Sequence, residues 1–359
     1  MHVSSLENFR KEIYQIREYI KHIQHVNNVV ADYTVLEAGN EQIKGLLDTL
    51  KEHYREFRTS KKIFEYKAII ISLYGLLEKS VESWIKEYLD ALSNIVPKYN
   101  QIDDTIREKH FELSLKLIST ITSRESAKYQ YLTKEQVLKR LNDCIENSSN
   151  YRINTEAFVL LSGNLKHDKV VELFKPLNVN LNEGLKRNQT LTQYIRDEQQ
   201  IENISNLNTD ILYNKINDLV EMRNQIAHGS EAVDDILDHS VLENYIRFLE
   251  NYCQAIFEIL NEEEIKQESV HKFQKIENVI NIFRDEILAF EIENYEIKVG
   301  DILIVKTANG RFFNKPILEI QIDKVSYPQK TITTKINIAV KVEPTIKKNQ
   351  EFFIKKANV

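Results

Sequence analysis

The chain has 359 residues, of which 42% are hydrophobic and 28% are charged, a composition that is ordinary for a globular protein of roughly two or three domains. The formal net charge of -6 argues against a protein that is coated with nucleic acid, although a local basic site can exist in an acidic chain. The two cysteines, Cys144 and Cys253, form no CxxC pair, so neither a disulfide framework nor a cysteine zinc site is expected.

No targeting or membrane segment is predicted. Residues 1–11 already carry Glu7 and lack an apolar run, which a signal peptide would need. The most apolar stretch, residues 68–77, is too short to span a bilayer. A cytoplasmic protein without membrane contact is therefore expected.

Helical spacing of apolar residues dominates the first part of the chain. Residues 5–57 predict an antiparallel helix pair that is interrupted at Gly39 and Gly45. Three further helices are predicted over residues 61–93, 105–122 and 133–147. Thr133 and Gln136 resemble a capping box at the start of the last of these helices.

The middle of the chain combines short and long helical patterns. A short helix is predicted over residues 167–175, and the Asn- and Gln-rich residues 178–205 predict a surface connection. A strong amphipathic helix follows over residues 207–228, with Gly229 as its stop. A further helical pattern runs from about residue 234 towards residue 290.

Near Tyr295 the pattern changes to short runs of Ile, Val and Thr with period-two alternation, which predict a small antiparallel sheet or barrel. Residues 295–359 contain twelve Lys or Arg and six Asp or Glu, so this segment carries about +6 and the remainder about -12. The predicted fold class is mainly α, with a helical bundle, N-terminal helices and a small C-terminal antiparallel β domain. The predicted domains are an N-terminal helical extension (1–60), a helical domain (61–292) and a β-barrel-like domain (293–359).

The segment LVEMRNQIAHG, residues 219–229, holds the residues of greatest chemical interest. Arg223 and His228 are five positions apart, so their directions on one helix differ by roughly 140°. Asn224 lies four positions before His228 and shares its face. Histidine can exchange a proton with a ribose 2′-OH or a leaving 5′-oxygen, and arginine can stabilise phosphate charge. From chemistry alone, however, a helix-capping histidine beside a solvated arginine is the more frequent explanation.

A resemblance to a known family favours the catalytic explanation over the capping one. RNQIAHG, preceded by the helix DILYNKINDLVEM, is similar to the Arg-Asn-x-x-x-His signature of the HEPN superfamily. More narrowly, the chain resembles the RiboL-PSP-HEPN group, with an earlier helix IISLYGLLEKSVESWIKEYL (70–89) and a middle segment SGNLKHDKVVELFKPLNV (162–179). The order and spacing match from about residue 65 to residue 260.

The resemblance implies a helical bundle that forms a homodimer through the motif helices and joins two Arg/His sets in one cleft. It also implies RNA cleavage, often in a defence or toxin–antitoxin system. The histidine and arginine suffice for attack by the internal 2′-OH, so no metal or cofactor is expected and the product is a 2′,3′-cyclic phosphate. Arg223, His228 and Asn224 are the expected catalytic residues. Glu78, with Glu82 one turn later, is the candidate for the acidic residue that the earlier helix adds in active members. An RNA substrate and an inhibitor or activator protein are the expected partners. The alternative is a non-catalytic HEPN scaffold with a β adaptor domain.

Several other residues have competing interpretations. Ser162, Asn164 and His167 are interpreted as a loop and helix cap, with a role in lining the site as the alternative. His22 and His25 are predicted to be surface residues. Four tyrosines are predicted to pack at helix interfaces: Tyr14, Tyr19, Tyr54 and Tyr66. Phe312 and Phe313 are expected to be exposed on the basic β domain, where nucleic-acid binding, a plain accessory module and partner docking along a sheet edge stay open.

Overall fold

The computed structural model describes residues 3–32, 41–123, 127–160, 163–199, 208, 212–228 and 238–356. The helices within these ranges are α1 (Val3–Asp32), α2 (Glu41–Ile95), α3 (Asp104–Ser123), α4 (Lys134–Ile145), α5 (His167–Phe174), α6 (Leu181–Arg187), α7 (Gln189–Gln199), α8 (Asn214–Ala227) and α9 (His239–His271). Antiparallel strands follow from Phe273 onwards. The predicted class, mainly α with a C-terminal β region, is confirmed. None of the described helices is both long and apolar enough to cross a membrane.

The helices α3 and α4 form where they were predicted. Thr133 and Gln136 make the predicted capping box at the start of α4. The Thr133 hydroxyl accepts from the Gln136 N–H at 3.2 Å, and the Gln136 side chain accepts from the Thr133 N–H at 2.9 Å. Each side chain thus satisfies one backbone donor that has no partner within the first helical turn.

The prediction of a break at Gly45 is wrong, because this glycine lies inside the 55-residue helix α2. A single glycine costs a helix only about 1 kcal/mol relative to alanine, so the apolar periodicity on both sides prevails. The other predicted break, Gly39, lies outside the described residues.

The predicted surface connection over residues 178–205 is wrong for most of its length, because α6 and α7 occupy Leu181–Arg187 and Gln189–Gln199. Residues 200–205 lie outside the described residues. Its asparagines favour a loop by local sequence, but two of them, Asn180 and Asn188, cap these short helices. The Asn180 side chain accepts from the Glu183 N–H at 3.3 Å, and the Asn188 side chain accepts from the Leu191 N–H at 3.0 Å. Asparagine favours the caps of helices as well as loops.

The helix that was predicted to run towards residue 290 ends at His271, and β1 begins two residues later. The helix α8 begins at Asn214, and residue 207, where the predicted helix starts, lies outside the described residues. Gly229, its predicted stop, lies outside the described residues.

Contacts between Cα atoms divide the chain into two compact units. One unit comprises His2–Lys86 and Phe158–Ile259 and carries the motif helix α8. Its core includes Trp84, whose ring makes edge-to-face contacts with the rings of Phe9 and Phe257, with centroids 5.6 Å apart in both cases. The domain limits 1–60, 61–292 and 293–359 stay a prediction.

Surface predictions for this unit are partly confirmed. His22 and His25 are exposed, as predicted. Tyr66 is buried, whereas Tyr14 and Tyr19 are 60% and 41% exposed, so the prediction that they pack at interfaces is wrong. They lie on the outer side of α1, whose inward face is supplied by its aliphatic residues and Phe9. The hydroxyl of Tyr54 donates to Asn27 of α1 at 2.8 Å and joins the two helices.

The other unit comprises Glu87–Ala157 and Leu260–Val359. Its described strands are β1 (Phe273–Lys275), β2 (Val279–Phe283), β3 (Ile287–Ile292), β4 (Tyr295–Lys298), β5 (Ile302–Lys306), β6 (Phe312–Pro316), β7 (Glu319–Ile322), β8 (Val325–Tyr327), β9 (Gln329–Ile332), β10 (Ile336–Lys341) and β11 (Glu351–Lys355). They pair in three sheets with the orders β1-β11-β5-β6, β2-β3-β10-β7-β8 and β4-β9. Aliphatic residues from all three sheets share one core.

Of Phe312 and Phe313, which were both expected to be exposed, only Phe313 is exposed. Phe313 is 39% exposed, and the guanidinium of Arg311 lies over its ring at 5.0 Å. Phe312 is buried in a small apolar cluster with Ile265, Phe273 and Ile304, because neighbouring residues of a strand point to opposite faces.

Candidate active site

The motif lies at the C-terminal end of α8. Ile216, Leu219 and Val220 form the buried face of this helix. His228 is the C-cap residue, with its N–H donating to the Asn224 carbonyl at 2.9 Å, and it is exposed. The apolar face therefore holds the helix in place, while its end presents an imidazole at the surface.

The guanidinium of Arg223 is fixed by three contacts. It lies over the ring of Tyr74, with Cζ 5.0 Å from the ring centroid. Its Nη1 donates to the side-chain oxygens of Asn164 and Asn224, at 3.3 Å in both cases. These contacts join α8, α2 and the loop before α5, so the arginine has a defined position before any ligand binds.

Tyr74 anchors this arrangement from α2. Its side chain is buried, and its hydroxyl accepts from the Leu165 N–H at 3.2 Å. The ring of Tyr74 thus contacts Arg223, and the hydroxyl of Tyr74 holds the loop that carries Asn164. Burial raises the pKa of Tyr74, Glu78 raises it further, and Arg223 opposes this effect. The hydroxyl therefore stays protonated at neutral pH.

Glu78 lies one helical turn after Tyr74 and is partly buried. Its carboxylate is near enough to raise the pKa of Tyr74, and Glu82 acts in the same direction. Glu82 is 9% exposed. Both glutamates therefore share the face of α2 that carries the tyrosine beneath Arg223.

Asn164 lies in the loop before α5, as expected, but its side chain contacts Arg223 and does not cap this helix, so the cap part of the interpretation is wrong. Its side chain is held by Arg223, and the first N–H of α5, that of His167, donates instead to Asn217 of α8 at 3.0 Å. Asn217, which lies 50 positions after His167, thus caps α5 in place of the loop residues that the local sequence suggests. Ser162 lies outside the described residues.

His167 is buried and has a structural environment. Its Nδ1 lies 2.9 Å from the Tyr252 hydroxyl and its Nε2 lies 2.9 Å from the Asn182 side-chain oxygen. The ring packs on Tyr213, with centroids 4.3 Å apart. Because an amide oxygen only accepts, Nε2 carries the proton and Nδ1 accepts from Tyr252. This network fixes α5, and through α5 the loop with Asn164.

The site brings together Arg223, Asn224 and Asn164 by direct contact and places Glu78 beside Tyr74. Sequence reasoning did not single out Tyr74. Its position four residues before Glu78 in the helix over 70–89 was the available signal, since residues four apart share a helix face. Lys166 pairs with Glu221 beside this group. Within the described parts of the chain, no group of three or more His, Cys, Asp or Glu side chains is arranged to hold a metal ion.

Comparison with known proteins places the chain in a family. No curated protein matches it. A crystal structure of flavohemoglobin from Malassezia yamatoensis aligns at 9% identity over 79% of this chain, which spans 64% of the length of that flavohemoglobin. The TM-score of 0.15 is too low for this match to carry any argument. A model of the RiboL-PSP-HEPN family matches residues 39–262, more than half of the chain. The chain therefore belongs to the RiboL-PSP-HEPN family, which indicates a nuclease or other RNA-related role.

Proposed function

We propose that this protein is a metal-independent RNA endonuclease whose catalytic residues are Arg223 and His228. The observation that carries the proposal is the fixed guanidinium of Arg223 on a helix that ends in the exposed His228. Membership of the RiboL-PSP-HEPN family supports the substrate class. Preorganised charge at the reacting phosphate is a large source of rate enhancement in such reactions.

The reaction uses the nucleophile that RNA itself contains. The 2′-oxygen attacks the adjacent phosphorus and loses its proton, while the bond from phosphorus to the 5′-oxygen breaks and that oxygen gains a proton. The products are a 2′,3′-cyclic phosphate and a 5′-OH, and water is not consumed. His228 exchanges a proton with one of these two oxygens, and Arg223 stabilises the charge on the phosphate oxygens.

Arg223 keeps donors for a phosphate while it is held in place. A guanidinium has five N–H donors, and both bonds to the asparagines come from Nη1. Among the described residues, none accepts from Nε or Nη2. Asn224 and Glu78 orient the pair: Asn224 holds Arg223 through its side chain, and Glu78 acts from the face of α2 beneath Arg223.

We also propose that the active form is a homodimer through the motif helices, with an inhibitor or activator protein that keeps cleavage in check. Such control fits a cytoplasmic enzyme of a defence or toxin–antitoxin system, because uncontrolled RNA cleavage harms the cell. The C-terminal β domain then delivers the substrate or the regulator.

One observation favours the alternative of a non-catalytic scaffold. The contacts of Arg223 with Tyr74, Asn164 and Asn224 join three elements, and an arginine with a purely structural role makes contacts of the same kind. In that case the motif helix would serve dimerisation, and the β domain would bind the partner.

Cleavage of total RNA in the presence of EDTA decides between the two. The wild-type protein should cut, leaving cyclic-phosphate ends, while Arg223→Ala and His228→Ala should not. A folded wild-type dimer that leaves RNA intact, also with its cognate activator, would favour the scaffold. Equal cleavage by all three proteins would place the activity in a contaminant or at a different site.

A further inference from the structure

A stripe of cations runs along the N-terminal half of α2. Lys51, Arg55, Arg58 and Lys62 follow at intervals of four, three and four residues, and all four are exposed. This spacing keeps them on one face of the helix. At a rise of 1.5 Å per residue, the stripe extends over about 16 Å.

The stripe forms one wall of a groove with a volume of about 800 Å³. The end of α1 and the start of α9 supply further polar lining: Asn27, Asn28, Asp238 and His239. The aliphatic lining residues Val30, Ile69 and Leu242 are buried and form the floor. Tyr54 and Tyr66 also line the groove, so its accessible surface combines exposed cations and amides with a larger apolar and aromatic part.

The acidic residues of the groove already have partners. Glu65 pairs with Lys61 at 2.9 Å, and Asp238 accepts from the backbone N–H of His239 at 3.0 Å. Arg55, Arg58 and Lys62, in contrast, make no ion pair with any described residue. The groove thus has an excess of positive charge, although the whole chain carries -6.

We infer that this groove binds the phosphodiester backbone of single-stranded RNA. The inference rests on the proposed function, and it assigns to α2 a binding surface apart from the Arg223 contacts. A line of cations in a groove follows a polyanion without reading its sequence. An acidic protein is the competing ligand, but RNA is the polyanion that the proposed reaction requires, and the cations of the stripe follow one line along the helix.

The test measures binding with cleavage switched off. A fluorescent single-stranded RNA of about 20 nucleotides is titrated by anisotropy with the full-length His228→Ala chain. The same chain is prepared with Arg55→Gln, Arg58→Gln and Lys62→Gln. A matched control carries Lys116→Gln, Lys139→Gln and Lys175→Gln, which removes the same charge from exposed positions elsewhere. Circular dichroism and thermal melting establish that all three proteins are folded.

The stripe variant should bind RNA about tenfold or more weakly at about 0.1 M salt, and the control should change less than about twofold. Because each lost phosphate contact lowers the salt slope by about 0.7 for a single strand, the slope should fall by about 2. Equal binding by stripe variant and control overturns the inference. The inference is also overturned if the stripe variant loses affinity for polyglutamate but keeps its affinity for RNA, because the ligand is then an acidic protein.

The two proposals fail in different ways. A wild-type chain that binds RNA through the stripe but leaves it uncut refutes the nuclease and keeps the groove. A wild-type chain that cuts RNA, while its stripe variant binds RNA like the control, refutes the groove and keeps the nuclease.

Discussion

The guanidinium of Arg223 lies over the ring of Tyr74, with Cζ 5.0 Å from the ring centroid. This contact joins the motif helix α8 to α2, and the hydroxyl of the same tyrosine accepts from Leu165 in the loop before α5. Tyr74 therefore determines two positions at once, that of Arg223 and that of Asn164. It touches neither the phosphate nor the ribose in the proposed reaction, so it is a positioning residue.

Replacement of Tyr74 separates its two contacts. Tyr74→Phe keeps the ring under Arg223 but leaves the N–H of Leu165 without its acceptor, which should cost about 1 kcal/mol of unfolding free energy. Tyr74→Leu also loses the cation–π contact, worth about 0.5–2 kcal/mol. RNA cleavage assays should therefore give kcat/KM within about threefold of wild type for Tyr74→Phe and a drop of about tenfold for Tyr74→Leu. If the two variants cleave equally well, the ring does not position Arg223.

A carboxylate in place of Asn164 should change stability and activity in opposite directions. The oxygen of Asn164 lies 3.3 Å from Nη1 of Arg223, so Asn164→Asp creates a partly buried ion pair. It should stabilise the fold by roughly 1 kcal/mol and lower kcat/KM about tenfold, because the charge meant for the phosphate is neutralised. Asn164→Ala removes the acceptor without adding charge and should lower kcat/KM only about threefold. Full activity of Asn164→Asp would mean that Arg223 does not act on the phosphate.

Local sequence was sufficient where neighbouring residues determine the structure. The cap of α4 needs only Thr133 and Gln136, and the motif at the end of α8 needs only helical spacing and its family signature. The contact of Arg223 with Asn164 joins residues 59 positions apart. Which asparagine faces the guanidinium depends on how α5 and α8 pack, and Asn217 took the capping role that the sequence had assigned to the loop.

The wrong helix before residue 290 has a similar cause. Ile287, Leu288 and Phe290 fit helical spacing as well as a strand, and nearby glutamates suggest a solvated helix face. The pairing with another strand determines the structure: Leu288 and Phe290 of β3 lie opposite Val340 and Ile338 of β10, which are 52 and 48 residues further along the chain. Periodicity in a single short segment contains no information on that pairing.

The stability of the protein should depend on pH through His110. Burial lowers the pKa of His110 to about 4. Its Nε2 accepts from the Asn154 N–H, and its Nδ1 lies 2.9 Å from the Tyr99 hydroxyl. Because Nε2 accepts, the neutral ring donates from Nδ1 to Tyr99.

The folded state holds His110 neutral, whereas the unfolded chain takes up a proton below about pH 6.5. The stabilising effect is therefore complete above about pH 6.5 and is lost as the pH falls towards 4, by up to roughly 3 kcal/mol. Urea unfolding at about pH 7.5 and pH 5 checks this in wild type and His110→Gln. The variant should be less stable at pH 7.5 but lose less on acidification, and an equal loss in both would contradict the role of His110.

Mixing two inactive variants tests whether the cleft is shared between two chains. Arg223 and His228 point roughly 140° apart on one helix, and Arg223 is turned towards Tyr74. In a symmetric dimer, the arginine of one chain can meet the histidine of its partner. A mixed dimer of Arg223→Ala and His228→Ala then contains one complete pair, whereas either variant alone contains none.

Random exchange of chains makes about half of the dimers mixed. Each mixed dimer has one complete Arg/His pair, whereas a wild-type dimer has two. Cleavage should therefore recover to roughly a quarter of the wild-type rate. The control is a mixture of His228→Ala with a chain that carries both substitutions, which should stay inactive. Exchange of chains is followed with two fluorescent labels. If exchange occurs and the mixture of single variants stays inactive, Arg223 and His228 of the same chain act together, and the shared cleft is wrong although the nuclease proposal survives.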